Sequence, residues 1–393
     1  MKLTFLLALI LSINIHAYNL KEILESLHTN NKTKSIHAKR DAEILENSLI
    51  TTYSAPQLGV TLSHAKDPVD EGLEYSIGIS QEVSSPFLTD EKVSVSQNLS
   101  KAVTQEAKHE LHLIELDIAD KYYKTCVSKE LYTKAKWLLG EQTQRVKYFE
   151  KAYEIGEISK KELLFNQLDL ANLNKNSKVY KRIYAEDFAS LQKGLGNLDL
   201  DSLSCVDLQR PLRTIDLRDI NEHGELKTLE YKKSASQSLY KINSALFPTI
   251  TYELLFEQEL ETKRYTVGVA IPLGGTTAYQ ETLKKQELAK ISSYEFEKDS
   301  MKKEIQNSSK NLLVKLETLY DELKLLQEEI LPLNAELLKL AKSAHDEGEG
   351  TVMEYLDASR SYSENVLNML EIKKTYYQTL FALYRAADME YGE

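Results

Sequence analysis

The chain has 393 residues, 42% apolar and 28% charged, with 49 basic against 60 acidic side chains and a formal net charge of −11. That composition excludes a disordered polymer and disfavours nucleic acid as a partner, because phosphate binding wants a basic face. Only 14 glycines and 7 prolines argue for long uninterrupted helices rather than a loop-rich enzyme, and two cysteines without CxxC spacing build neither a disulfide scaffold nor a zinc site.

In chain order, Met1 to Ala17 read as a secretory signal peptide. Lys2 supplies the positive end, Leu3 to Ile13 the apolar core, and Ala17 the small residue before cleavage ahead of Tyr18. Losing Lys2 takes the charge from −11 to −12, and no cysteine follows the signal to carry a lipid. Beyond it, no run approaches the roughly 20 apolar residues of a spanning helix.

Residues 18–195 form a first repeat, a helix followed by two strands at about 54–85. Leu58, Val60 and Leu62 alternate with Gly59, Thr61 and Ser63, and Tyr75, Ile77 and Ile79 with Ser76, Gly78 and Ser80. Neither Gly nor Pro occurs between Pro86 and Gly140, and the helical pattern runs from Thr89 to Glu154, 66 residues or roughly 100 Å. Next come a turn at Gly156 and a returning helix, with Ser159 placed to cap it. A linker covers 196–214.

The second repeat, 215–393, has strands at about 246–273 and a hairpin tip near 348. Its strand residues Ile250, Tyr252, Leu254 and Phe256, then Tyr265, Val267, Val269 and Ile271, alternate in the same way. The stripe Leu316, Leu319, Leu323, Leu326, Ile330, Leu333, Leu337, Leu340, Ala344 steps by 3 and 4 without a break and predicts coiled-coil packing, bent or locally broken at Pro332. After the turn, Leu367, Leu370, Lys374, Tyr377, Phe381 and Tyr384 continue the steps with one lysine inserted.

The halves are a duplication. Pro56 to Pro248 is 192 residues, Gly156 to Gly348 is also 192, and the strand landmark Gly78 to Gly268 is 190. Alternating strands of about 10 residues suit a transmembrane barrel, although strands of a soluble sandwich alternate too. In a bilayer four strands cannot close a barrel, so the chain is expected to pool strands with copies of itself.

Tyr153-Glu154-Ile155-Gly156-Glu157-Ile158-Ser159 with Glu162-Leu163-Leu164, and Ile330-Leu331-Pro332 with Gly348, Thr351, Glu354 and Leu356-Asp357-Ala358, resemble the TolC family of outer-membrane efflux proteins, the outer-membrane factors of tripartite efflux or type I secretion systems. The resemblance covers nearly the whole mature chain and looks most like the metal-efflux and drug-efflux branches. It implies a mainly α fold with a small β part, tandem-duplicated helical hairpins and four transmembrane strands. It further implies a homotrimer with a 12-stranded barrel in outer-membrane lipid, continued by an α-helical tube in the periplasm. The implied partners are a periplasmic adaptor protein and an inner-membrane transporter of RND or ABC type. No cofactor or metal is implied, and no enzymatic motif (P-loop, HExxH or nucleophile–base set) occurs in the sequence. A periplasmic adaptor would have one hairpin between split β-domains, and a structural coiled-coil envelope protein would lack strand pairs at fixed places in both halves.

Gly156, Ser159, Glu162, Gly348 and Thr351 are expected to belong to hairpin tips that contact the adaptor. Glu354 and Asp357, at the offsets where the family carries acids, are expected to form the periplasmic gate, with Glu162 the first-half counterpart. Two latch positions depart from the family: His345 stands where members often have tyrosine, and Gly350 where some have a basic residue. Cys126 and Cys205 are candidates for a disulfide in an oxidising compartment; two unpaired thiols suit the sequence equally well. Five methionines and eight histidines show no ligand spacing, so the sequence points to no particular substrate.

Overall fold

The structure, a computed structural model, describes residues 17–66, 71–196, 198, 200, 202–205, 217–272 and 277–389. The expected signal peptide, but for Ala17, and most of the expected linker lie outside these residues. The chain separates into two units: Met1–Lys34, His112–Asp216 and Asn307–Glu393 form one, Ser35–Leu111 and Leu217–Gln306 the other.

The elements run β1 (Ala17–Tyr18), α1 (Leu20–Ser26), α2 (Asn31–Ser48), β2 (Gln57–Lys66), β3 (Glu71–Ser84), α3 (Thr89–Glu154), α4 (Lys160–Leu195) and β4 (Ser202–Leu203) in the first half. The second half has α5 (Gly224–Asn243), β5 (Thr249–Gln258), β6 (Lys263–Ala270), α6 (Ala278–Leu325), α7 (Leu331–Asp346) and α8 (Val352–Ala387). The chain is thus mostly helical with a small sheet part.

In the second unit, four strands form one antiparallel sheet in the order β2-β3-β5-β6. The register sets Leu58, Ile79, Leu254 and Val267 in one row, and Val60, Ile77, Phe256 and Tyr265 in the next. Because side chains alternate across a strand, one face of the sheet is apolar through these two rows. It is also uncovered: Leu58 is 68% exposed, Leu254 60% and Val267 78%. The opposite face carries Gly59, Gly78, Leu255 and Thr266 in one row and Thr61, Ser76, Glu257 and Arg264 in the next. At Gly78 a Cβ would stand 3.0 Å from Leu255 Cδ1, so any larger residue there would displace that leucine side chain.

The first unit is held by side chains spaced as the helical stripes require. Leu367, Leu370, Tyr377, Phe381 and Tyr384 of α8 are all buried. Tyr123 of α3 stacks on Tyr377 and Phe381 at ring-centre distances of 5.0 and 5.5 Å. The lysine inside this stripe has partners, for Lys374 Nζ donates to Asp187 Oδ2 of α4 at 2.7 Å and to Ser128 Oγ of α3 at 2.8 Å.

The local break expected at Pro332 takes the form of a π-helical turn over Leu326–Ile330, and the coiled-coil stripe expected to run from Leu316 to Ala344 is interrupted there. Pro332 has no N–H for the carbonyl of Glu328, and its ring would clash with that carbonyl in an α-helix; a wider turn relieves both. The extra residue rotates the next helical segment by about 100°. Leu316, Leu323 and Leu326 are therefore buried, whereas Leu333, Leu337 and Leu340 are 65%, 54% and 59% exposed. Pro332 then sits comfortably in the first turn of α7.

Candidate functional site

Both helical hairpins of the first unit end in the same two-part device. Gly156 has φ +81°, with its N–H bonded to Tyr153 O at 3.0 Å and the N–H of Glu157 bonded to Ala152 O at 2.9 Å. Gly348 repeats this with φ +74°, bonding to His345 O at 3.1 Å, while Glu349 bonds to Ala344 O at 2.8 Å. These paired bonds close a helix end and need a left-handed residue, which glycine adopts without a Cβ penalty.

The returning helices start with reciprocal caps. Ser159 N donates to Glu162 Oε2 at 2.7 Å and Ser159 Oγ accepts from Glu162 N at 3.3 Å. Thr351 and Glu354 do the same at 2.9 and 3.2 Å. The backbone N–H and hydroxyl of Ser159 hold the Glu162 carboxyl below the usual carboxylate range, and those of Thr351 do so for Glu354. Each of these acids is thus engaged within its own turn as an anion.

The two tips share one apolar cluster. Phe149 and Ala152 of α3, Ile158 between the helices, Leu163 of α4, and Val352 and Leu356 of α8 are buried together, with Phe165, Met353 and Tyr355 packed against them. Ile155, by contrast, is 71% exposed at the first turn. A polar layer adjoins the cluster. Arg145 of α3 donates to Gln142 Oε1 at 2.8 Å and to Ser359 Oγ, and its guanidinium lies over the Tyr355 ring at 4.9 Å. Arg360 of α8 donates to both carboxylate oxygens of Asp169 of α4, at 3.0 and 3.1 Å from Nη2 and 3.2 Å from Nε.

Asp357 and Glu354 are three residues apart, yet their carboxylates have different partners. Asp357 Oδ1 accepts from Arg360 Nη1 at 3.2 Å and the side chain stays 65% exposed. Arg360 therefore bridges Asp169 and Asp357, and Asp169 raises its guanidinium further above its ordinary range. Sequence reading missed Arg145, Asp169 and Arg360. A signal existed: at the 192-residue offset between Gly156 and Gly348, Arg360 falls on Leu168 and Asp169 on Ser361. The repeats have diverged into a charge pair there.

Away from the tips, Cys126 of α3 and Cys205 are joined as a disulfide with their Cα atoms 5.6 Å apart. β4 beside it pairs in parallel with β1, Ser204 N donating to Tyr18 O at 2.9 Å. Tyr122 Oη donates to Ser204 O, and Lys129 Nζ to Leu203 O at 3.2 Å. Three side chains of α3 thus pin the stretch that leaves α4.

A valine at either tip glycine tests what these turns do. A β-branched residue at positive φ costs about 1–2 kcal/mol or more, too little to unfold the chain but enough to rebuild the turn. Gly156→Val and Gly348→Val are each expected to keep their helical content by circular dichroism and to lower stability to denaturant by about 1–2 kcal/mol. Unchanged stability in both variants would mean that neither turn depends on its left-handed residue.

No family model matches the chain, and no curated protein matches it in sequence. Solved structures do match in fold. The outer membrane protein VceC from Vibrio cholerae aligns with a TM-score of 0.78 at 12% identity, over 95% of this chain and 97% of that one. The CmeC outer membrane channel of Campylobacter jejuni aligns at 0.75 and 14% identity, over 95% and 87%. The MtrE outer membrane channel of Neisseria gonorrhoeae, in its open state, aligns at 0.73 and 14% identity, over 94% and 88%. The chain has the fold of these outer membrane channels.

Proposed function

We propose that the chain is the subunit of an outer-membrane exit duct of the TolC family, passively conducting substrates that an inner-membrane pump and a periplasmic adaptor deliver. The observation that carries this reading is the sheet: an exposed face whose central rows are apolar, an opposite face of mostly small or polar residues, and edge strands β2 and β6 that, among the described residues, each pair on one side only. Open edges are not tolerated in lipid, and three copies of four strands close a 12-stranded barrel. The fold shared with outer membrane channels supports the same reading. In it the chain is a homotrimer in the outer membrane with a periplasmic helical extension, and it does no chemistry on its cargo.

In the trimer, Glu354 and Asp357 ring the periplasmic entrance, and the tips around Gly156, Ser159, Glu162, Gly348 and Thr351 meet the adaptor. Thr351 holds the Glu354 carboxyl below its usual range, whereas like charges gathered on a threefold axis raise one another's pKa. A threefold axis makes each carboxylate a set of three that attracts cations.

Fractionation and conductance test this together. A heat-resistant trimer in the outer membrane, forming cation-selective channels in a planar bilayer, is the expected result. Glu354→Ala plus Asp357→Ala should weaken block by divalent cations about tenfold, the equivalent of about 1.4 kcal/mol. A soluble monomer overturns the duct; unchanged block in a conducting trimer places the constriction elsewhere.

A further inference from the structure

Two apolar stripes stand uncovered on the first unit. On α7, Leu333, Leu337 and Leu340 face outward because the π turn has rotated them away from the buried row that precedes it. On α4, Leu164 and Leu168 are 52% and 55% exposed, and exposed Ala171 continues their row. Steps of 3 and 4 put each set on one face of its helix. Within one chain both helices pack against α8, through Arg360 on Asp169 of α4 and through Ser361 Oγ, which donates to Asn334 Oδ1 of α7 at 2.8 Å. Both stripes stay exposed all the same.

The stripes match in height. Leu340, Leu337 and Leu333 lie 8, 11 and 15 residues before Gly348; Leu164, Leu168 and Ala171 lie 8, 12 and 15 residues after Gly156. Because the two tips share one apolar cluster, these counts measure height along the hairpins. One turn further from the tips, exposed Glu329 of the π turn and exposed Lys175 of α4 are each 19 residues from their glycine. Opposite charges thus continue the two apolar rows at equal height. Copies related by rotation about an axis along the helices keep every residue at its own height, so one copy's stripe meets the next copy's without sliding. A lipid surface or an unrelated helix gives no reason for these heights to agree.

We infer that α7 of one copy packs its leucine stripe on α4 of the next, head to tail, with the π turn as the point of handover. Before that turn the row is buried within the chain, and after it the row is buried between chains. This rests on the homotrimer reading above and adds the surfaces that join its copies in the first unit. The sheet shows the same polarity, since the free edge β6 belongs to the second repeat and the free edge β2 to the first. α7 and α4 likewise come from the second and first repeats. Contact between two different surfaces closes into a ring when the rotation permits, whereas a like-to-like contact stops at a dimer. Pro332 is thereby a determinant of assembly and not of one helix alone, because its missing N–H sets the phase of the stripe.

The experiment is thiol cross-linking of the full chain in outer-membrane fractions, with the native Cys126–Cys205 bond in place. Leu337→Cys plus Leu168→Cys, matched in height, should convert most chains to a covalent trimer under mild oxidation, read on a non-reducing denaturing gel. Leu333→Cys plus Leu164→Cys, out of step by seven residues or roughly 10 Å, should run as single chains, because a disulfide needs Cα atoms within about 7 Å. Leu337→Asp gives a second reading. The residue is exposed in the single chain, so helical content by circular dichroism should not change, while the trimer fraction on a native gel should fall about tenfold. Equal cross-linking of both pairs, no cross-link of the matched pair in a stable trimer, or a trimer fraction untouched by Leu337→Asp overturns the seam while leaving the duct standing. A wild-type chain that never assembles beyond a monomer overturns the duct and the seam with it.

Discussion

Removing the disulfide with Cys126→Ser plus Cys205→Ser is expected to lower stability by about 4 kcal/mol, as expected from releasing a loop of this length in the unfolded chain. The two cysteines are 79 residues apart, a span that holds the first hairpin tip and all of α4. The bond also secures the stretch on which β1 pairs, so its loss should free Ser202–Cys205 from α3. Denaturant unfolding in detergent, followed by the fluorescence of the single tryptophan, Trp137, reads the effect, with and without reductant on wild type. Identical midpoints for the oxidised, reduced and serine forms would show that Tyr122 and Lys129 alone hold the linker.

A comparable loss should result from Asp187→Ala. Asp187 is buried on α4 between three helices: Ser128 Oγ of α3 donates to its Oδ2 at 2.5 Å, Lys374 Nζ of α8 to the same oxygen at 2.7 Å, and Lys124 Nζ lies 3.2 Å from Oδ1. Burial by itself pushes the carboxyl up, but the bonds from Lys374 and Ser128, with the charges of Lys374 and Lys124, outweigh it and hold the group below its usual range. Removing the acid leaves Lys374 as an unpaired charge only 17% exposed, a change that costs about 3–5 kcal/mol in comparable sites.

The pH dependence has a definite sign. A carboxyl whose folded pKa is depressed contributes stability above its unfolded value near 3.9 and loses it as pH falls through the folded one. Wild type should therefore lose this contribution only below about pH 4, and Asp187→Ala should flatten that limb of the curve. The double variant Asp187→Leu plus Lys374→Met should recover much of the loss, since a buried pair can be replaced by apolar side chains at little cost. A double variant as unstable as the alanine single would assign the effect to packing instead of charge.

Much of this architecture can be read locally. A 66-residue helix needs only the near absence of glycine and proline and a steady apolar stripe, and both stand in the sequence of Thr89 to Glu154. Gly156 and Gly348 announce their turns because nothing else takes positive φ so readily, and Ser159 and Thr351 announce the returning helix starts. The strands show period 2, and the common offset of 192 residues between the tip glycines exposes the duplication. Such signals depend on near neighbours along the chain.

The sequence by itself thus determined the long helices, the two strand pairs and the two tip turns, but not the short strands β1 and β4. Only the tertiary structure decided which side chains from different segments meet. Arg360 and Asp169 are 191 residues apart, close to the repeat offset, but Lys374 and Asp187 are 187 apart and no periodicity links them. Whether Cys126 reached Cys205 depended on the path the chain takes after α4. Pro332 announced a bend or local break, but the form it takes, a π turn with one extra residue, was hidden, because a stripe of perfect spacing describes an ideal helix. Local propensity acts through a residue's own backbone and its neighbours one turn away, whereas these contacts are selected by packing of three helices at once.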